Sequence, residues 1–171
     1  MKNTISMYDA SVPVFKQSLS ALNAILDKAQ AHTKEHSIAP DKLLQASLYP
    51  DMYNFIRQVQ IGTDFAKGVT ARLAGEDVPA FEDDETTFPE LKARIEKTLH
   101  FIASIKPELI DGSEDKEIIT RPGTPKEKKF NGQSYLLHYG IPQFFFHVTT
   151  AYDILRSQGV AVGKRDYMGI F

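Results

Sequence analysis

Cysteine is absent from the 171-residue chain, which excludes disulfides, thiolate metal sites, iron–sulfur clusters and cysteine nucleophiles. Positive charge is not in excess either: 20 Lys and Arg stand against 22 Asp and Glu, for a formal charge of −2. Phosphate backbones demand a concentrated surplus of Lys and Arg, so no nucleic-acid partner is expected. No run approaches the ~18 apolar residues of a membrane span. The opening "MKNTISMYDASVPVF" lacks the long apolar core of a leader. No membrane association and a cytoplasmic location are the expectations. No Ser-His-Asp arrangement, phosphate loop, dinucleotide fingerprint, internal repeat or low-complexity tract is found.

What is present suits one soluble domain over residues 1–171: 42% hydrophobic and 25% charged residues, at a length that buries a core without metal or disulfide staples. From Tyr8, apolar residues fall at Val12, Phe15, Leu19, Leu22, Leu26 and Ala29, the four-and-three spacing of an amphipathic helix that ends before Pro40. A second helix is expected with Pro50 in its first turn, a stripe of Met52, Ile56, Val59, Thr63, Ala66, Thr70 and Leu73, and a stop at Gly75. Ile61, Phe65 and Val69 give this helix a second apolar side, which requires a partner.

"GEDVPAFEDDETTF" carries six acidic residues and no basic one, and reads as a loop of solvated charge without the ligand spacing of a calcium site. Thr87 and Glu90 fit a capping box, which starts a third helix with Leu91, Ile95, Leu99, Ile102 and Ile105, ended by Pro107. Between Asp111 and Gln133 the helical period disappears, and two β-capable pieces around Pro-Gly predict a small hairpin or irregular excursion. The last helix runs from near Pro142 to Gly159, with Phe144, Val148, Ala151, Tyr152 and Leu155 inward. Four such helices predict an all-α four-helix bundle.

Several groups are candidates for chemistry. "HTKEH", His32 to His36, matches a zinc-peptidase pattern, but its position at a helix end favours cationic side chains complementing the dipole. His100 is expected to be exposed, and His138 is unplaced. Lys164 and Arg165 beside Tyr167 read as a docking tail more readily than as an anion site. His147 shares a side with Gln143, Ala151 and Ile154 next to the apolar face, so its imidazole is expected to be partly buried and to need a hydrogen-bond partner or a metal. Thr149 and Thr150 fit hydrogen bonds back to helix carbonyls. Gln60, Asp64 and Lys67 form a polar edge on the second helix, which reads as a site or, more simply, as an Asp-Lys surface pair.

Taken in order, "LYPDMYNFIRQVQIGTDFAKGVTARLAG", "FEDDETTFPELKARIEKTL" and "PQFFFHVTTAYDILRSQGVAVGKRDYMG" resemble the domain of unknown function family DUF1993 over nearly the whole chain. That family is similar to the DinB/YfiT-like bundles, which implies four helices running up-down-down-up, a long second connection, and a tendency to homodimers through helix surfaces. The second side of the second helix would suit such a surface, or would be covered by the Asp111 to Gln133 excursion.

In metal-binding members of that superfamily, a histidine of the second helix joins a His-x-x-x-His pair of the last helix around a divalent ion. Aligned on Gly159, the resemblance places His147 on the second histidine of the pair and Gln143 on the first, with the helix-two ligand near Gln60 and Asp64 one turn on. Amides are poor ligands for zinc or nickel. The expectation is therefore a degenerate pocket of Gln60, Asp64, Gln143 and His147 in a non-catalytic, small-ligand-binding or interaction protein. The alternative is a zinc-, nickel- or manganese-dependent hydrolase, or a thiol or small-molecule transferase, with His147 and Asp64 as ligands.

Overall fold

The computed structural model describes residues 5–170, so the first four residues of the stretch read for a leader lie outside it. Four long helices form a bundle: α1 (Val12–Glu35), α3 (Phe55–Ala74), α4 (Phe88–Ser104) and α7 (Ile141–Ser157). Short helices α2 (Pro40–Leu44), α5 (Pro107–Ile110), α6 (Gly132–Ser134) and α8 (Lys164–Met168) sit in the connections. Among the described residues, no helix is long and apolar enough to cross a membrane.

The predicted stripes face inward. Val12, Phe15, Leu19, Leu22, Leu26 and Ala29 of α1 are buried, as are Leu91, Ile95 and Ile102 of α4. α3 packs against both α4 and α7, and α1 packs against the same two helices from the other side. Phe15 meets Phe144 edge-on at 4.8 Å, a geometry that favours the positive ring edge over the negative face. Phe55 lies by Phe88, and further along both helices Thr63 meets Arg94, so α3 and α4 run parallel and need the long crossover between them. α7 returns antiparallel to α3, with Gly140 at Val69 and His147 at Gln58.

Two boundaries follow from capping chemistry. α4 starts at the expected box: the Thr87 hydroxyl accepts from the Glu90 N–H, and the Glu90 carboxylate accepts from the Thr87 N–H. α3 starts later than Pro50, because Asn54 is the cap, its Oδ1 accepting from the Arg57 N–H at 2.9 Å. Pro50 and Met52 therefore belong to the preceding turn. Gly75 ends α3 with φ 79°, a left-handed conformation open to glycine at little cost.

Strands β1 (Glu117–Thr120) and β2 (Lys128–Asn131) form the antiparallel hairpin, in register from Glu117 opposite Asn131 to Thr120 opposite Lys128. The Asn131 side chain then caps α6 by accepting from the Ser134 N–H. Between α6 and α7 the helix widens to a π segment over Tyr135–Gly140. Pro142 explains the widening, since it has no N–H for the carbonyl of His138 and its ring crowds that carbonyl.

The second side of α3 is covered within the chain at Val69 and partly at Phe65, while Ile61 stays half-buried. Val69 is fully buried, and Phe65 packs at 5.9 Å from both Tyr139 and His147. The cover is the π segment and α7, with the hairpin reaching it through Phe130 on Tyr135 and Tyr139.

Candidate functional site

His147 lies one turn and a half into α7 and is only 7% exposed. Its ring stacks on Phe65, with 14° between the planes, and meets the edge of Phe146. Nδ1 stands 2.7 Å from Oε1 of Gln58 on α3. The Gln58 amide is oriented by its other end, where Nε2 donates to the Tyr53 carbonyl. The atom facing the imidazole is thus a carbonyl oxygen, which only accepts, so His147 Nδ1 carries the proton and donates.

Burial, reinforced by the Arg57 guanidinium, lowers the His147 pKa from 6.5 to about 4. At neutral pH the ring is uncharged, and Nε2 keeps its lone pair. Nε2 has no hydrogen-bond partner among the described residues, and the side chain lines an open cleft. A held Nδ1–H with a free Nε2 is a pre-oriented hydrogen-bond acceptor.

The cleft has a volume of about 780 Å³ and lies between α3, the π segment, α7 and the hairpin. Its apolar side is made by Ile61, Phe65, Tyr135 and Tyr139. Tyr135 is buried, which pushes its phenol pKa up even though Arg72 donates to the phenol oxygen at 3.2 Å. The hairpin wall supplies Arg121, Lys126 and Lys128, the last set over the Tyr139 ring. Five cationic residues line the cleft against two acids, Asp64 and Glu127, in a chain whose overall charge is negative.

The four residues singled out in the sequence do not share one site. Asp64, Gln143 and His147 line the cleft. Gln60 points away from it: Nε2 donates to Glu85 at 2.8 Å, and Oε1 accepts from Arg57. The residue of α3 that meets His147 is Gln58, at the head of the same side as Ile61, Phe65 and Val69. A polar residue heading an apolar side was the signal for it.

Asp64 does pair with Lys67 at 2.8 Å, but Lys67 is buried, and the same oxygen also accepts from Arg94. Arg94 organises a cluster that the sequence reading missed. Its side chain is almost fully enclosed, and the guanidinium donates to Asp64, Glu85, Thr63 Oγ1 and the Glu82 carbonyl, with Asp83 at 3.0 Å. Phe81 lies against Lys67, Lys97 and Arg94 as a cation–π platform. Asp83 and Glu85 therefore strap the acidic crossover onto α3 and α4, while Glu76, Asp77, Glu82 and Asp84 are exposed, in keeping with the reading of solvated charge. Burial pushes the Asp83 carboxyl up, yet Arg57 and Arg94 together hold it below its ordinary value.

The other candidates are placed as follows. His32 and His36 stack at 4.2 Å at the end of α1, where His36 Nδ1 donates to the His32 carbonyl. His100 and His138 are exposed. The C-terminal segment docks: Tyr167 hydrogen-bonds Thr149, Asp166 pairs with Lys28, and Gln17 donates to the Met168 carbonyl. Thr150 bonds back to Phe146, but Thr149 is taken by Tyr167.

Of the donors implied by the resemblance, Gln143 is an amide and the Asp64 carboxylate is held by Lys67 and Arg94, which leaves His147, through Nε2, as the one strong ligand of the set. Among the described residues, no three histidine or carboxylate side chains gather in a ligating arrangement.

The model of the domain of unknown function family DUF1993 matches residues 7–168. The crystal structure of a DinB family member protein from Shewanella denitrificans is 39% identical, with a TM-score of 0.90, over 96% of this chain and 92% of that one. No curated protein matches.

Proposed function

The chain belongs to the DUF1993 family and has a DinB-like bundle, and on that premise we propose that it binds a small molecule in the cleft against His147. The observation that carries the reading is the Gln58–His147 hydrogen bond. It fixes a neutral imidazole with Nε2 unbonded, on a side chain that lines a cleft of ligand size. A base of pKa about 4 is a weak proton acceptor at neutral pH, but a good partner for a ligand N–H or O–H. Recognition without turnover therefore fits this site better than general-base catalysis.

The test is an NMR titration of the labelled full chain with a small-fragment mixture, following the Nε2 resonance of His147 and the amides of α3 and α7. Hits that shift Nε2 and are lost in His147→Phe support the reading. A near-stoichiometric transition metal in protein purified without chelator, gone in His147→Ala of unchanged fold, would overturn it in favour of a metal-dependent enzyme.

A further inference from the structure

The hairpin wall of the cleft holds an imbalance. Arg121, Lys126 and Lys128 line the cleft from one short hairpin, and Arg72 joins them from α3. None of the four has a carboxylate partner among the described residues. Arg72 donates only to the Gly68 carbonyl and the Tyr135 hydroxyl. Lys128 has only the face of Tyr139.

The chain has 22 acidic residues with which to neutralise such a group. The two that reach the cleft are otherwise engaged. Glu127 accepts from the Gly123 N–H, and Asp64 is held by Lys67 and Arg94. Like charges facing one concavity with apolar walls repel each other and focus a positive potential into it, and that cost is relieved when an anion enters. Between these four cations and His147 lie rings in contact, Lys128 over Tyr139, Tyr139 against Phe65 and Phe65 stacked on His147, and the fifth cation, Arg57 near His147, is paired with Asp83. The order along the cleft is thus cationic, aromatic, hydrogen-bond acceptor.

We propose that the ligand is a small oxyanion with a flat apolar body, its carboxylate or phosphate held by Arg72, Arg121, Lys126 and Lys128, its body on Tyr139 and Phe65, and an O–H or N–H donating to His147 Nε2. This assignment rests on the cleft being the binding site and adds the class of molecule it takes. Arginine presents a planar fork that matches either oxyanion, and lysine adds charge without geometry, so the shared chemistry covers both groups.

The experiment titrates three probes into the labelled full chain: 4-hydroxybenzoate, phenyl phosphate and the neutral 4-methylphenol. Each is run on the wild type and on Arg121→Gln/Lys126→Gln/Lys128→Gln, whose exposed hairpin changes are expected to leave the melting temperature unaltered. The expected result is binding of at least one anionic probe with shifts in the hairpin, the Tyr139 region and His147. The triple variant then weakens that probe by about tenfold or more and leaves 4-methylphenol unchanged, and high salt weakens the anion alone. Whichever anionic probe binds tighter identifies carboxylate or phosphate.

If 4-methylphenol binds as well as the anions, or the triple variant binds them like wild type, the oxyanion assignment is overturned while the cleft stands. If none of the three shifts the cleft residues, the assignment fails together with the binding site beneath it.

Discussion

Oε1 of Gln58 accepts a 2.7 Å hydrogen bond from Nδ1 of His147, tying the start of α3 to the first half of α7. One amide thereby sets the tautomer, the ring plane and the direction of the free nitrogen. The bond can be interrogated directly. Gln58→Glu places a carboxylate on Nδ1 and raises the imidazole pKa out of its depressed range, to or above the usual ~6.5. Gln58→Leu removes the acceptor and lets the proton populate Nε2. Both changes are read from the Cε1 proton and ring nitrogen shifts across a pH series. An unmoved titration in the glutamate variant would mean that the bond does not set the tautomer.

Stability should carry the signature of the same imidazole. Unfolded, it titrates near 6.5; folded, near 4. Between those values the unfolded chain binds more protons, so falling pH favours unfolding. The loss begins below about pH 7, is complete near pH 4, and amounts to no more than roughly 3 kcal/mol. Urea melts of wild type and His147→Gln at matched pH isolate it, because the other titrating groups cancel. Parallel curves would show that the depressed pKa is not realised.

Arg94 is the residue whose loss should cost most among the polar groups. Removing it leaves the nearly enclosed Glu85 with only the Gln60 amide, while Asp64 and Asp83, each more than a third exposed, keep Lys67 and Arg57, so the loss is expected to be about 1–3 kcal/mol. Arg94→Met is expected to lower the unfolding free energy by that much and to expose the crossover between Glu76 and Thr86 to protease. Asp83 adds an acid limit. Its carboxyl, held low by the two arginines, stabilises the fold above its unfolded pKa, and that contribution disappears as pH falls below about 4. An Arg94→Met protein as stable as wild type, with an uncut crossover, would refute the strap.

Gly140 is where the π segment approaches α3. A Cβ there would stand 2.6 Å from Val69 Cγ2, closer than packed atoms tolerate. Gly140→Ala is expected to destabilise by about 1–3 kcal/mol, the usual cost of overpacking. Val69→Ala, itself destabilising, should offset part of that loss in the double variant. A double-mutant cycle by thermal melts measures the coupling, and strict additivity would argue against the close approach.

The helical scaffold was legible because each stripe kept its period and the decisive caps are local. Thr87 and Glu90 announce α4 within four residues, and Gly75 closes α3. The start of α3 was misplaced because Pro50 and Asn54 both fit a first turn, and only the cap bond at Asn54 separates them. The site was less legible, because its partners are distant in sequence. Gln58 and His147 are 89 residues apart, and nothing local to either predicts the bond. Arg94 did leave a trace: at helical spacing it borders the stripe of Leu91, Ile95, Leu99, Ile102 and Ile105, and a charge beside a buried stripe requires counter-charges. The acidic segment just upstream was the source of them. The cations of the hairpin stood in plain view, but only the fold turns Arg121, Lys126 and Lys128 toward Tyr139.

The π segment has a consequence for how this protein can change. It carries extra residue length within a helical rise, which makes it equivalent to an insertion already absorbed by the fold. Removing one residue between Tyr135 and Gly140 is expected to tighten the segment to α geometry while the helices on either side keep their facing. His147 and the bundle core would stay in register. The segment thus marks the place beside the cleft where the length of the chain can change by one residue without turning the four helices that keep it folded.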